Sequence, residues 1–337
     1  MNSEVYDGKV FIGRMSRRLR REAENLRKTK YIEVGLGILI VMGDQVAMSD
    51  IGKISKLAEE SGINVQVERV AQRNIARKFY PTLEEYAASP YIHGIYIPLP
   101  LPIEIVPLAE VMRRLPPEKD VGGIHFINRG KLSYPHYEVE NFSYPPELPG
   151  VAATLKECSV ELKGGKVVVI GSDQTSGIVR MLSGYLYEKG ANVRLVHYKN
   201  LPGTRMAGES RKLRHIEEPE KKEEITVVNP EGEAVVTWTN HAGWLTRERL
   251  FPGSVVIDMG YKFARGKISG DCDFQNVSHT AKIITPVPGG ARNIVHAMIV
   301  NNVIDLVKQK RSDQEPIKKG DLRKRFGVID KKQTTDT

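Results

Sequence analysis

The chain has little cysteine: Cys158 and Cys272 are the only two in 337 residues, too few for a disulfide framework or a cysteine-based zinc site built from this chain alone. That scarcity points to a reducing compartment. Long hydrophobic runs are also missing. The strongest, Val34 to Met42, is strand-sized, whereas a membrane span needs roughly 18 apolar residues or more. A soluble protein without a membrane span is expected. Arg17, Arg18, Arg20 and Arg21 would suit an organelle-targeting peptide, but Glu4, Asp7, Glu22 and Glu24 break the acid-poor composition of such peptides. No targeting segment is read, and the expected location stays open between mitochondrion and cytoplasm. His125, His197 and His296 stand alone in sequence and support no metal site.

What is present describes a folded α/β protein. The hydrophobic fraction is 40% and glycines number 30, and the length suits two domains. The formal net charge is +9, which favours acidic partners. Much of the excess lies in residues 14–30 and 308–332. A solvated helix face and a polar tail explain both stretches, with RNA contact through the basic termini as the sharper alternative.

Ile12, Met15, Leu19, Ala23 and Leu26 recur at intervals of three and four, predicting an amphipathic helix over 11–27. Val34 to Met42 reads as a strand covered on both faces. A helix over 50–61, a strand over 64–70, a helix over 82–88 and a strand over 94–97 continue a βαβ series, which implies a parallel sheet. Residues 116–149 dissolve into Pro, Gly, Tyr and charge, as a connection between two lobes would. A helix over 151–158 follows. Lys166 to Gly171, Ser176 to Glu188 and Asn192 to Val196 then read as strand, glycine turn, helix and strand, the core of a dinucleotide-binding half. Residues 200–233 are charged and poor in apolar residues, predicting a surface insertion. Short strands at 234–238, 255–259 and 282–285 and a helix over 293–308 complete the fold.

The turn Gly171-Ser172-Asp173-Gln174-Thr175-Ser176-Gly177 joins strand to helix, where small residues let backbone approach a pyrophosphate and the helix N-terminus attracts its charge. It lacks full G-x-G-x-x-G spacing. Asp173 sets a negative charge beside any phosphate and opposes tight binding unless a cation compensates.

Further segments occur in order: Asp7-Gly-Lys9, Ile97-Pro-Leu-Pro-Leu-Pro102, Lys119-Asp-Val-Gly-Gly-Ile-His125, Val256-Ile-Asp-Met-Gly260 and Ile284-Thr-Pro-Val-Pro-Gly-Gly290. Together with the Gly171 turn, they resemble the bifunctional methylenetetrahydrofolate dehydrogenase/methenyltetrahydrofolate cyclohydrolase (FolD) family over roughly residues 5 to 308. The resemblance implies a two-lobed α/β fold: a first lobe over 1–148 closed by the returning helix 293–308, a Rossmann-like lobe over 149–292 and a basic tail over 309–337. It also implies folate between the lobes, NADP or NAD on the second, and the family's homodimer. The folate-cleft positions it marks are Pro98, Leu99, Pro100, Asp120, Pro286, Gly289 and Gly290. The cofactor positions are Gly171, Ser172, Asp173, Gly177, His197 and Thr239.

Departures from the family pattern fall on the cleft. Counted without a gap from Glu59-Glu60-Ser61-Gly62, the family's Tyr is Asp50 and its catalytic Lys is Ile54. Lys53 and Lys56 are the nearest fallbacks, although helix geometry points them elsewhere. The family's Gln is Pro98, its pterin-gripping Asp is Gly122, its Arg-Ser pair is Ser172-Asp173, and its Val-Gly-Pro is Ala291-Arg292-Asn293. The expectation is a family member with degenerate chemistry, serving as a structural or accessory subunit of a larger assembly. The competing expectation is an active dehydrogenase without cyclohydrolase activity.

Overall fold

The computed structural model describes residues 3–43, 45–102, 104–132, 142–201, 227–264 and 266–309. Most of the charged stretch 200–233 and all of the tail beyond 309 lie outside these residues. The chain opens with a short strand β1 (Glu4–Val5) and helix α1 (Lys9–Lys30). Asp7 accepts the Lys9 amide at 3.0 Å before the first turn, and Tyr31, in the left-handed region, ends the helix by donating its N–H to the Leu26 carbonyl. Met15, Leu19, Ala23 and Leu26 are buried, as their spacing predicts. The arginines take the opposite face, where Arg18 pairs with Glu22 and Arg20 with Glu24, one turn away in each case.

Next come β2 (Gly35–Val41), α2 (Gln45–Glu60), β3 (Asn64–Val70), α3 (Tyr80–Ala88) and β4 (Gly94–Tyr96). They form a parallel three-stranded sheet in the order β3-β2-β4. Every residue of β2 is buried, as a central strand covered on both faces requires. Helix α4 (Leu108–Arg114) precedes the region read as a bare connection and α5 (Phe126–Lys131) lies inside it, both too short to show a period.

Helix α6 (Glu147–Glu157) starts four residues earlier than the periodicity suggests, because Pro149 sits in its first turn, where a missing N–H costs nothing. Then follow β5 (Lys166–Gly171), α7 (Ser176–Glu188), β6 (Asn192–His197), β7 (Ala234–Trp238), β8 (Val255–Asp258), the hairpin β9 (Lys262–Ala264) and β10 (Lys267–Ser269), α8 (Phe274–Val277), β11 (Ile283–Ile284) and α9 (Gly290–Gln309). The second sheet runs β1-β11-β8-β7-β5-β6, all parallel. Residues 4 and 5 thus belong to the second sheet, although α1 packs with the first-lobe helices.

Helix α9 is buried around most of its circumference, the mark of a helix inside a core rather than upon it. It packs on α1, α2 and α6 and reaches β4 and β8. A Cβ on Gly150 would stand 2.8 Å from the Val295 side chain, so glycine sets the closeness of α6 and α9. Gly150→Ala is expected to cost about 1–3 kcal/mol through overpacking, read by urea denaturation; an unchanged midpoint would show that the helices can part freely.

Candidate active site

The cleft is built where α2, the turn into α9 and the loop after β8 converge. Asp50, on α2, is buried. Its Oδ2 accepts a hydrogen bond from Arg292 Nε at 2.8 Å, and the Tyr261 hydroxyl donates to Oδ1 at 3.4 Å. His296 Nε2 lies 3.3 Å from Oδ1, close enough to feel its charge yet without an aligned hydrogen bond. The Arg292 guanidinium lies 3.9 Å from the centre of the Tyr261 ring, a cation–π stack. Three distant segments therefore meet on one carboxylate.

Burial alone would raise the Asp50 pKa, but the His296 imidazole and the Arg292 charge outweigh it and hold the group at about 2. Burial pulls Arg292 the other way, and Asp50 restores it, so the guanidinium remains charged. His296 is pushed below its ordinary value by burial, with Asp50 pulling back. At the rim, burial raises Tyr96, with the Glu147 charge adding to it. Glu147 is raised by burial as well, against the Arg292 and Arg129 charges.

The sequence-derived positions divide sharply around this cluster. Ile54, one turn from Asp50 on the same face, is fully buried in the core. Of the fallback residues, Lys53 and Lys56 are both exposed; Lys56 spends its charge on Glu60 at 3.9 Å, whereas the Lys53 charge reaches the cluster and adds to the lowering of His296. Asp120 is consumed by the fold, accepting the Ile124 and His125 amides at 3.2 and 2.8 Å and Asn128 Nδ2 at 2.9 Å. It is a turn residue, not a free ligand group. Pro98 is buried and Leu99 exposed in the segment carrying the cis Leu99-Pro100 bond. Pro286, Gly289 and Gly290 lead directly into α9, and a Cβ at Gly290 would meet the Thr285 side chain at 2.8 Å. Gly122 faces the edge of the Tyr96 ring, so an aromatic ring borders the place where the family pattern has a carboxylate.

Arg292, Tyr261, Tyr96 and Glu147 were not marked by sequence. A signal existed for the first of them. An acid at position 50 and a base at position 292 are two departures of opposite charge, and opposite charges in one cleft should be read together.

On the second lobe, the Gly171 turn closes on itself. The Ser172 amide donates to Thr175 Oγ1 at 2.9 Å, and Ser172 Oγ donates to the Thr239 carbonyl at 2.8 Å. Ser172 and Thr239 are both buried, so their side chains brace the turn instead of facing a ligand. Gly171 serves packing, since a Cβ there would lie 2.5 Å from Val179. Gly177 differs: nothing lies within 4 Å of where its Cβ would stand, and it is the second residue of the 13-residue helix α7. That bare backbone at a helix N-terminus fits a dinucleotide's pyrophosphate. The Asp173 carboxylate is offset by Lys199 Nζ at 2.7 Å and His197 Nε2 at 2.9 Å. The compensating cation that the sequence left unidentified is Lys199.

Beneath this turn lies a buried acid pair. Asp271 accepts the Thr239 and His241 amides and the Thr237 hydroxyl, while Asp258 accepts the amides of Gly260, Asp271 and Cys272. Burial, then the Asp271 charge, pushes Asp258 up to about 7. The pair thus holds a proton between about pH 4 and 7 that the unfolded chain lacks, so its contribution to stability is present at low pH and is lost as pH rises through about 7. His296, depressed in the fold, acts oppositely below its ordinary value. The clean readout is therefore infrared: a buried protonated-carboxyl band should fade between pH 5 and 8 and be missing in Asp258→Asn. A band unaffected by that substitution would refute the assignment.

The profile of the tetrahydrofolate dehydrogenase/cyclohydrolase catalytic domain matches residues 6–122, and that of its NAD(P)-binding domain matches residues 216–311. The chain belongs to this family. It is 28% identical over 313 residues to the bifunctional protein FolD of Bacillus subtilis, spanning 93% of this chain and all of that one. FolD of Streptococcus gordonii is also 28% identical, over 91% of this chain and 98% of its own. Among solved structures, the bifunctional FolD methylenetetrahydrofolate dehydrogenase/cyclohydrolase of Campylobacter jejuni superposes with a TM-score of 0.72 at 25% identity, covering 90% and 98% of the two chains. The NAD-dependent 5,10-methylenetetrahydrofolate dehydrogenase of Saccharomyces cerevisiae shares the fold, with a TM-score of 0.68 at 19% identity over 91% and 98%. The family's two-domain α/β architecture is the one described above. No helix of the described residues is long and apolar enough to cross a membrane, and the described residues contain no cluster suited to a metal ion.

Proposed function

We propose that this chain binds a nicotinamide dinucleotide and a reduced folate and carries out the redox half of the family's chemistry without the hydrolytic half. The observation that carries the reading is the cleft cation. Position 54 is a core isoleucine, and the charge facing Asp50 comes from Arg292. A guanidinium stays protonated at neutral pH and cannot shuttle the proton that hydrolysis of a methenyl bridge requires. Asp50, held at about 2, is too weak a base at neutral pH to replace it, and the His296 imidazole beside it is buried, its side chain only 6% exposed, which keeps it from a substrate proton.

Hydride transfer asks for less, namely two reactants held close and correctly oriented. When bound, the nicotinamide supplies the hydride acceptor. The chain would offer the Gly177 backbone and the α7 N-terminus to the pyrophosphate, and the Asp50, Arg292 and Tyr261 cluster as a rigid wall for the folate. A buried carboxylate must keep a partner for the chain to fold in either case, so the working-cleft reading leans on the open Gly177 backbone at the α7 N-terminus, which would take a pyrophosphate.

The test is methylenetetrahydrofolate oxidation with NAD and with NADP, run beside methenyltetrahydrofolate hydrolysis and nucleotide-dependent thermal shift. Oxidation without hydrolysis is expected. No oxidation and no shift at millimolar nucleotide would discard this reading in favour of the accessory-subunit role.

A further inference from the structure

This inference rests on the nucleotide-binding reading and concerns which dinucleotide is taken. In doubly wound lobes the adenosine ribose lies at the carboxyl end of the strand following the glycine turn. There an acidic side chain accepts from the 2′-hydroxyl of NAD, whereas a cation welcomes the 2′-phosphate of NADP. That strand is β6, which pairs with β5 and ends at His197. Its end, His197-Tyr198-Lys199, offers two basic side chains and no acid. Strand-end chemistry alone therefore indicates NADP.

The fold reverses that indication. Asp173, from the first turn, reaches across so that its Oδ1 lies 2.9 Å from His197 Nε2 and its Oδ2 2.7 Å from Lys199 Nζ. Its side chain is 65% exposed, so the carboxylate stands open to solvent at the end of β6 and is not buried in the turn. Both bases that would grip a 2′-phosphate are already bridged by an anion. A phosphate entering there must break those pairs or stand against a like charge, whereas a ribose diol can simply donate to the carboxylate.

We infer that the chain selects the dinucleotide lacking a 2′-phosphate, NAD, and that Asp173 is its specificity-determining residue. Lys199 and His197 act as positioning residues that hold the carboxylate at the strand end.

The experiment is calorimetric titration of the full chain with NAD and with NADP, for the native protein and for Asp173→Ser. Asp173 is exposed and outside the core, so the variant should keep its melting temperature. The native chain should bind NAD at least about tenfold more tightly, a difference of about 1.4 kcal/mol. In Asp173→Ser, with this carboxylate removed, Lys199 and His197 should raise NADP affinity about tenfold or more, with a salt dependence that NAD binding lacks. NADP binding as tight as NAD in the native chain would overturn this inference and leave the dehydrogenase reading standing. Failure to bind either nucleotide would remove both. An unchanged preference in Asp173→Ser would strip Asp173 of the role.

Discussion

Replacing Arg292 by alanine is expected to lower the unfolding free energy by about 3 kcal/mol, because the Asp50 carboxylate would be left buried without its guanidinium. For a chain of this size, that corresponds to a melting temperature roughly 4–5 °C lower. The converse change should cost less. The Asp50 side chain is 7% exposed and that of Arg292 is 29% exposed, so a widowed arginine can recruit water more easily than a widowed aspartate. Asp50→Asn paired with Arg292→Met should recover much of the loss, since a buried ion pair replaced on both sides is often close to neutral. Denaturant unfolding of the two single variants and the double variant tests this. Strictly additive costs would mean that the pair is coincidental.

The second large effect is expected from Ile54→Lys, which restores by letter what the family pattern has at that place. Position 54 is fully buried among Ile51, Leu57 and Ala58. An ammonium there must be desolvated or lose its proton, a penalty of about 4 kcal/mol. Stability should fall steeply, and no hydrolysis of methenyltetrahydrofolate should appear. Hydrolysis appearing in this single variant would show that the helix can turn position 54 into the cleft, and that one substitution separates this chain from a bifunctional enzyme.

The scaffold was legible because its signals are local. The fully buried run of β2, the α1 face through Met15, Leu19, Ala23 and Leu26, and the strand, turn and helix around Gly171 each declare themselves within a few residues. Short elements were not legible: α5 is six residues long and α8 four, less than two turns in each case, so neither displays a period. The site failed for a different reason. Asp50 and Arg292 were each visible as departures, but their pairing joins residues 242 apart in sequence, and no periodicity links α2 to α9. Asp173 was visible in the sequence as a charge problem; its cationic partner, Lys199, lies beyond another helix and strand. Losses can be counted along a chain, whereas compensation between them becomes visible only in three dimensions.

The route of the chain also governs how this protein can be recombined. The edge of Ile283–Ile284 is paired by Glu4–Val5, and α9 lies against elements of both halves. A fragment cut between the two lobes, near residue 148, would carry away a sheet with a bare edge and leave a hydrophobic trough where α9 had been. Chimeras with relatives should therefore fold only when the opening residues and the closing helix travel with the lobes they serve, so the practical unit of exchange is nearly the whole chain.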